Sequence, residues 1–103
     1  MAMQARDHRI PLQAAAALTR RYREGIGKGE VKASAFHADQ VRGLLAQPGC
    51  VALRIYHATD ADGHATLVLV GVGADDKDLS TGVLLEFGMP CPPFCDDGSA
   101  LNS

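Results

Sequence analysis

The sequence feature that most constrains the fold is the apolar segment Ala65–Val72. It predicts a strand, in which successive side chains point to opposite faces of the sheet. Two leucines then share one face and three valines share the other, namely Leu67 and Leu69 against Val68, Val70 and Val72. A strand that is apolar on both faces is normally central and covered on both sides. We therefore predict that Ala65–Val72 is the middle strand of a sheet.

The flanking segments predict two more strands. Cys50–Ala58 alternates in polarity along most of its length, as a half-buried strand does. Its inward face is expected to carry three apolar side chains, Val51, Leu53 and Ile55. The dipeptide Asp62-Gly63 separates this strand from the central one and is a strong hairpin signal. Val83–Gly88 follows an acidic turn and predicts the third strand of an antiparallel meander.

Two helices are predicted before the sheet. Residues 11–24 carry apolar side chains at helical spacing, start at Pro11 and stop before three closely spaced glycines. A second helix is expected over residues 38–47, stopped by Pro48-Gly49, and a short extended piece over residues 31–36 precedes it. The predicted fold class is α+β: two N-terminal helices packed on a three-stranded antiparallel β-meander, followed by a proline-rich C-terminal tail.

The composition is that of one folded domain. The chain has 103 residues, of which 47% are hydrophobic and 21% charged, as in ordinary globular domains of this length. We expect a single domain over residues 1–103, with flexible ends at residues 1–9 and 97–103. No segment approaches the roughly 20 apolar residues of a membrane span. With no signal peptide recognised either, the chain is expected to be cytoplasmic and to have no membrane partner.

The net charge of −2 combines two segments of opposite sign. Residues 1–32 contain seven Lys and Arg against three Asp and Glu, whereas residues 33–103 contain three against nine. Such segments attract each other within a fold or across a dimer. The basic side chains are few and lack interleaved aromatic residues, which argues against nucleic acid as a partner.

The valine face of the central strand needs a cover that the two helices do not supply. The candidates are the C-terminal tail and a second copy of the chain, because apolar patches and sheet edges often mediate association. We therefore predict a homodimer, and a function as a non-enzymatic module that self-associates or binds another protein.

The tail carries two thiols on a stiff scaffold. In Pro90-Cys91-Pro92-Pro93-Phe94-Cys95, three prolines restrict φ and remove N–H donors, which predicts that the segment is not a strand. One interpretation is packing, with Phe94 and two apolar thiols on the sheet. A second is a metal site, because three residues between the thiols lie within the range of structural zinc sites. A third is a disulfide or redox role, although redox pairs usually have two intervening residues.

The zinc interpretation needs ligands beyond Cys91 and Cys95. The predicted metal set is Cys91, Cys95 and His57, which lies on the inward face of its predicted strand. The candidates for the missing pair of ligands are His57 with His64, Cys50, and the same two thiols of a dimer partner. Zinc or another soft metal is the only cofactor that the sequence suggests.

No catalytic residues are predicted. Cys50 would need a base in reach and an oxyanion site to act as a nucleophile, and no pair of carboxylates suits acid–base catalysis. The loop Gly25–Gly29 closes a helix, whereas a phosphate loop opens one. Asp60–Gly63 starts like a calcium loop but lacks the third acidic position and the distal Glu, so a hairpin turn explains it. The sequence therefore indicates no reaction.

Four motifs resemble those of a family of small uncharacterised bacterial proteins. They are Gln47-Pro48-Gly49-Cys50, Leu53-Arg54-Ile55-Tyr56, the run Thr66 to Val72, and Pro90 to Cys95. The first helix is similar around Leu18-Thr19 and Tyr22-Arg23. The resemblance covers most of the chain. It implies no activity and no functional residue, because no activity is established for that family.

Overall fold

The computed structural model describes residues 3–103. The chain forms two compact units, one of residues 3–4 and 35–89 and one of residues 5–34 and 90–103. Two helices and two antiparallel sheets, of three and two strands, confirm the predicted α+β class. Within the described residues, no helix has the length and apolar character needed to cross a membrane.

The first unit is built on a three-stranded sheet. Its strands are β2 (Cys50–Thr59), β3 (Ala65–Gly73) and β4 (Leu84–Leu85), and their order is β2-β3-β4. The central position predicted for the apolar segment is therefore confirmed. The neighbours Leu69 and Val70 point to opposite faces and are each only 3% exposed. Both faces of β3 are thus covered, as a strand apolar on both sides requires.

The hairpin between β2 and β3 forms where Asp62-Gly63 predicts it. The Asp60 N–H donates to the His64 carbonyl at 2.9 Å. The Asp60 carboxylate accepts from the N–H groups of Asp62 and His64, both at 2.9 Å. Gly63 has a φ of +86°, a conformation that glycine adopts without steric cost.

The third strand is shorter than predicted. β4 comprises two residues, whereas the sequence pattern predicts a strand over Val83–Gly88. Phe87 has a φ of +60° and an exposed side chain, so the chain leaves the sheet before it. A residue with positive φ cannot continue an extended strand, so the predicted strand end at Gly88 is wrong.

The helix α2 (Ala38–Leu45) packs on the sheet and contacts both β2 and β3. Leu44 is completely buried, and Gln47 just after the helix donates from Nε2 to the Leu44 carbonyl at 2.7 Å. The same side chain accepts from the Val83 N–H through Oε1 at 2.8 Å. Gly71 permits this packing, because a Cβ there would lie 2.9 Å from Cys50 Sγ. Larger residues at position 71 would force the helix end and β3 apart.

The face of β2 predicted to point inward is largely exposed. Three side chains predicted to point inward are exposed, Val51 by 62%, Leu53 by 37% and Ile55 by 49%. On the opposite face, Arg54 and Tyr56 bind Asp78 of the loop between β3 and β4. That loop bridges back to Val72, which is buried. The valine face therefore gains most of its cover within one chain, and the reason first given for a homodimer does not hold.

The second unit contains α1 (Leu12–Glu24) and the C-terminal tail. The helix starts at Leu12, so Pro11 is its N-cap and not its first residue as predicted, and Ala16 is its buried residue. α1 groups with the tail, whereas α2 belongs to the first unit, where it contacts β2 and β3. Arg23 of α1 donates to the carbonyls of Leu101 and Ser103.

A two-stranded sheet pairs β1 (Ala33–Ala35) with β5 (Met89–Cys91). The prediction that the proline-rich segment forms no strand is wrong at its start, because Pro90 lies within β5. Proline is tolerated in edge strands, where its missing N–H is not needed by a neighbour. In a sheet of two strands, both strands are edges.

Candidate functional site

Cys91 and Cys95 form a disulfide at the end of β5. A tight turn brings them together, since the Phe94 N–H donates to the Pro90 carbonyl at 2.8 Å and the Cys95 N–H donates to Pro93 at 3.0 Å. Their Cα atoms are 4.8 Å apart, a separation that a disulfide spans. Cys91 is buried, whereas Cys95 is partly exposed.

Both cysteines line a cleft of about 180 Å³ in the second unit. Its lining includes the aromatic residues Tyr22 and Phe94, the cations Arg23 and Lys32, the carboxylate Asp96 and the polar residue Asn102. Among the described residues, no carboxylate lies within ion-pairing distance of Lys32. The Asn102 Oδ1 atom is buried and has no donor in the described part of the chain. The cleft therefore combines a cystine, a carboxylate, a Lys32 ammonium group that is not ion-paired with it, and an unused acceptor.

The members of the predicted metal set fall in different units. Cys91 and Cys95 meet in the second unit, but His57 lies on β2 in the first. Zinc binds the thiolate form of cysteine, and a disulfide holds no thiolate. A zinc site at Cys91 and Cys95 is thus a proposal for the reduced chain alone.

A different group of possible metal ligands lies in the hairpin. Within residues 3–103, the one cluster of ligand atoms within 4.8 Å of one another is Asp60, Asp62 and His64, all exposed. The N–H of His64, followed by those of Asp62 and Gly63, lowers the pKa of Asp60 below its ordinary value. Exposed acidic turns are common without an ion, and the hairpin geometry accounts for Asp60.

The remaining thiol, Cys50, is partly buried and free. Its Sγ lies 3.4 Å from the Ala52 carbonyl and faces Gly71. This position agrees with a packing role rather than a nucleophilic one.

The outer edge of β2 is the second candidate surface. Asp60 and His64 form a hydrogen-bonded pair, and such pairs alternate along an antiparallel ladder. The regular register from Ala52 to Thr59 therefore directs the backbone groups of Arg54 and Tyr56 towards β3. Those of Leu53, Ile55 and His57 point away from the sheet. Within residues 3–103, β3 is the one strand paired with β2, so this edge is open.

The opposite face of β2 is closed by an ionic cluster. Arg54 Nη1 lies 2.5 Å from Asp78 Oδ1, and the Tyr56 hydroxyl donates to Asp78 Oδ2 at 2.5 Å. The Tyr56 hydroxyl and, after it, the Arg54 guanidinium hold the pKa of Asp78 below its ordinary value. The Asp78 carboxylate raises the pKa of Tyr56 in return. Sequence reasoning missed this cluster, because its partners lie more than twenty residues apart.

Comparison with protein families, with curated proteins and with solved structures finds no match to this chain. The resemblance to small bacterial proteins therefore stays a prediction.

Proposed function

We propose that this chain is a non-enzymatic module that self-associates through the outer edge of β2, so that two sheets join into one. The observation that carries the proposal is the ten-residue edge strand, which presents apolar side chains and outward-pointing backbone groups together. Strand addition uses both features, since main-chain hydrogen bonds supply affinity and the side chains supply specificity.

The charge pattern of β2 favours pairing. Edge strands are usually protected by lysines, prolines or bulges that discourage association. Arg54 is the single Lys, Arg, Asp or Glu residue of β2, and its guanidinium is bound to Asp78 on the face away from Leu53. A bulge lies between Cys50 and Ala52, at one end of the strand. The stretch from Leu53 to Thr59 carries no such protection.

A second copy of the chain is the occupant that fits best, because the strand is complementary to itself. Closed two-fold dimers place the same surface on both sides. An antiparallel pairing centred on Leu53 sets Val51 opposite the partner's Ile55, so apolar side chains meet across the interface. A pairing centred on Arg54 would instead set two guanidinium groups opposite each other, and like charges directly opposite are destabilising. We therefore propose the register centred on Leu53.

Light scattering coupled to size-exclusion chromatography tests the proposal. We expect the wild-type chain to be a dimer at micromolar concentration and Ile55→Lys to be a monomer. Ile10→Lys is the matched control, because Ile10 is about equally exposed and lies outside β2. We expect the control to remain a dimer. A monomeric wild type, or loss of the dimer in both variants, would contradict the proposal.

The register has its own test in a Cys50→Ser background. We expect Leu53→Cys to form an intermolecular disulfide on mild oxidation, and His57→Cys to do so much more slowly. Dimers that crosslink through position 57 instead would contradict the register and leave strand pairing intact.

A further inference from the structure

We propose that Cys91–Cys95 is a reactive cystine that exchanges with a small dithiol entering the cleft of the second unit, with Cys95 as the sulfur attacked. This site is separate from the edge of β2, because every residue that lines it belongs to the second unit.

Exposure decides which sulfur reacts. Thiol–disulfide exchange needs the attacking thiolate to reach one sulfur in line with the bond. Cys91 is buried, whereas Cys95 is partly exposed at the wall of the cleft. Attack at Cys95 therefore leaves Cys91 as the departing thiolate.

Lys32 stabilises that departing thiolate. Its backbone N–H donates to the Cys91 carbonyl at 2.8 Å, which fixes Lys32 beside Cys91. Its side chain lines the same cleft and has no carboxylate partner within residues 3–103. A neighbouring ammonium group lowers the pKa of a thiol, and a leaving thiol of lower pKa departs faster.

The exchange balances in two steps. The first thiolate of the dithiol attacks Cys95 Sγ, the Cys91–Cys95 bond breaks, and Cys91 leaves as a thiolate that takes up a proton. The second thiol of the reductant loses its proton and attacks the mixed disulfide, which releases the Cys95 thiolate, and this thiolate takes up a second proton. The protein gains two electrons and two protons, and the reductant leaves as its cyclic disulfide.

Reduction of the folded chain by dithiothreitol tests accessibility. All proteins carry Cys50→Ser, so that the cystine is the one source of thiols. We expect millimolar dithiothreitol to release two thiols per chain without denaturant, and reoxidation to restore the bridge. Release that requires denaturant would overturn the proposal, because it would show a buried structural disulfide.

Single-cysteine variants test which sulfur reacts. Cys91→Ser leaves the Cys95 thiol, and Cys95→Ser leaves the Cys91 thiol. We expect the first to form a mixed disulfide with glutathione disulfide at least about tenfold faster, because access limits exchange. Circular dichroism verifies that both variants are folded. Equal rates in two folded variants, or a faster Cys91, would overturn the assignment of Cys95.

Lys32→Gln tests whether the Lys32 ammonium group assists the exchange. We expect it to slow reduction by dithiothreitol, whereas Lys28→Gln, which lies outside the cleft lining, leaves the rate unchanged. An unchanged rate in Lys32→Gln would remove Lys32 from the mechanism.

Discussion

β2 and β3 are neighbours in one sheet, but their apolar side chains differ in burial. β3 has strands on both sides, and its buried residues Leu69 and Val70 face opposite ways. β2 has a strand on one side, and its apolar residues Leu53 and Ile55 face solvent. Apolar side chains therefore hold the fold together in β3 and remain available for association in β2.

Introducing a charged side chain into each strand should give the largest difference in stability between variants. We expect Val70→Asp to unfold the chain, because an unpaired buried charge costs several kcal/mol, a large fraction of the roughly 5–15 kcal/mol that stabilises a domain. Ile55→Asp should stay folded, within about 1 kcal/mol of wild type at concentrations where both are monomers. Urea unfolding followed by circular dichroism measures both. Equal losses of stability from the two substitutions would contradict the difference in burial between the strands.

Matched leucine truncations compare the stability that one buried and one exposed side chain contribute. Leu69→Ala should lower the free energy of unfolding by about 2–5 kcal/mol, since it removes buried methyl groups and leaves a cavity. Leu53→Ala should cost less than about 1 kcal/mol in the monomer, because its side chain is partly hydrated already. The same urea experiment applies. A larger loss for Leu53→Ala would show that the β2 face is buried in the folded monomer.

Glycine substitutions probe the close packing at the end of β3. Gly71→Ala should cost about 1–3 kcal/mol, because its Cβ would lie 2.9 Å from Cys50 Sγ and 3.2 Å from Gln47 Nε2. Gly43→Ala is the control, since no atom lies within 4 Å of its added Cβ. It should be neutral or stabilise α2 by up to about 1 kcal/mol. Thermal melts of both variants, with Cys50→Ala as a partial rescue of Gly71→Ala, measure the effect.

The smallest effect is expected for the ionic cluster on the closed face of β2. The pKa of Asp78 is lowered in the folded chain from its ordinary value of 3.8. Its contribution to stability is therefore fully present above pH 3.8 and is lost as the pH falls through the lowered pKa. We expect Asp78→Asn to be less stable than wild type at neutral pH, with the difference shrinking in acid. A stability difference between Asp78→Asn and wild type that grows in acid would contradict a stabilising role for the cluster.

Much of the sheet could be predicted because its signals are local. The doubly apolar run of β3 and the Asp62-Gly63 turn each act within a few residues, and both are found in the structure. The contact between Arg54 of β2 and Asp78 could not be predicted, because the two residues lie 24 positions apart. An alternating pattern shows that two faces exist and does not show which one a loop will cover.

The candidate sites depend still more on distant contacts. In the sequence, Pro90 argues against a strand. In the structure it lies in β5, whose pairing with β1 needs no proline N–H. Three cysteines allow three different single bridges, so the pairing of Cys91 with Cys95 was one interpretation among several. The cleft beside it is formed by α1 and the tail, which lie far apart in the sequence.

Amide hydrogen exchange, measured residue by residue at several protein concentrations, tests the edge of β2 most directly. The amides of Arg54 and Tyr56 should be protected at every concentration, because they bond to β3. Those of Leu53, Ile55 and His57 should exchange rapidly in dilute solution and become protected as concentration rises. Protection of these three amides in dilute monomer, or their rapid exchange at concentrations where a dimer exists, would contradict association through this edge.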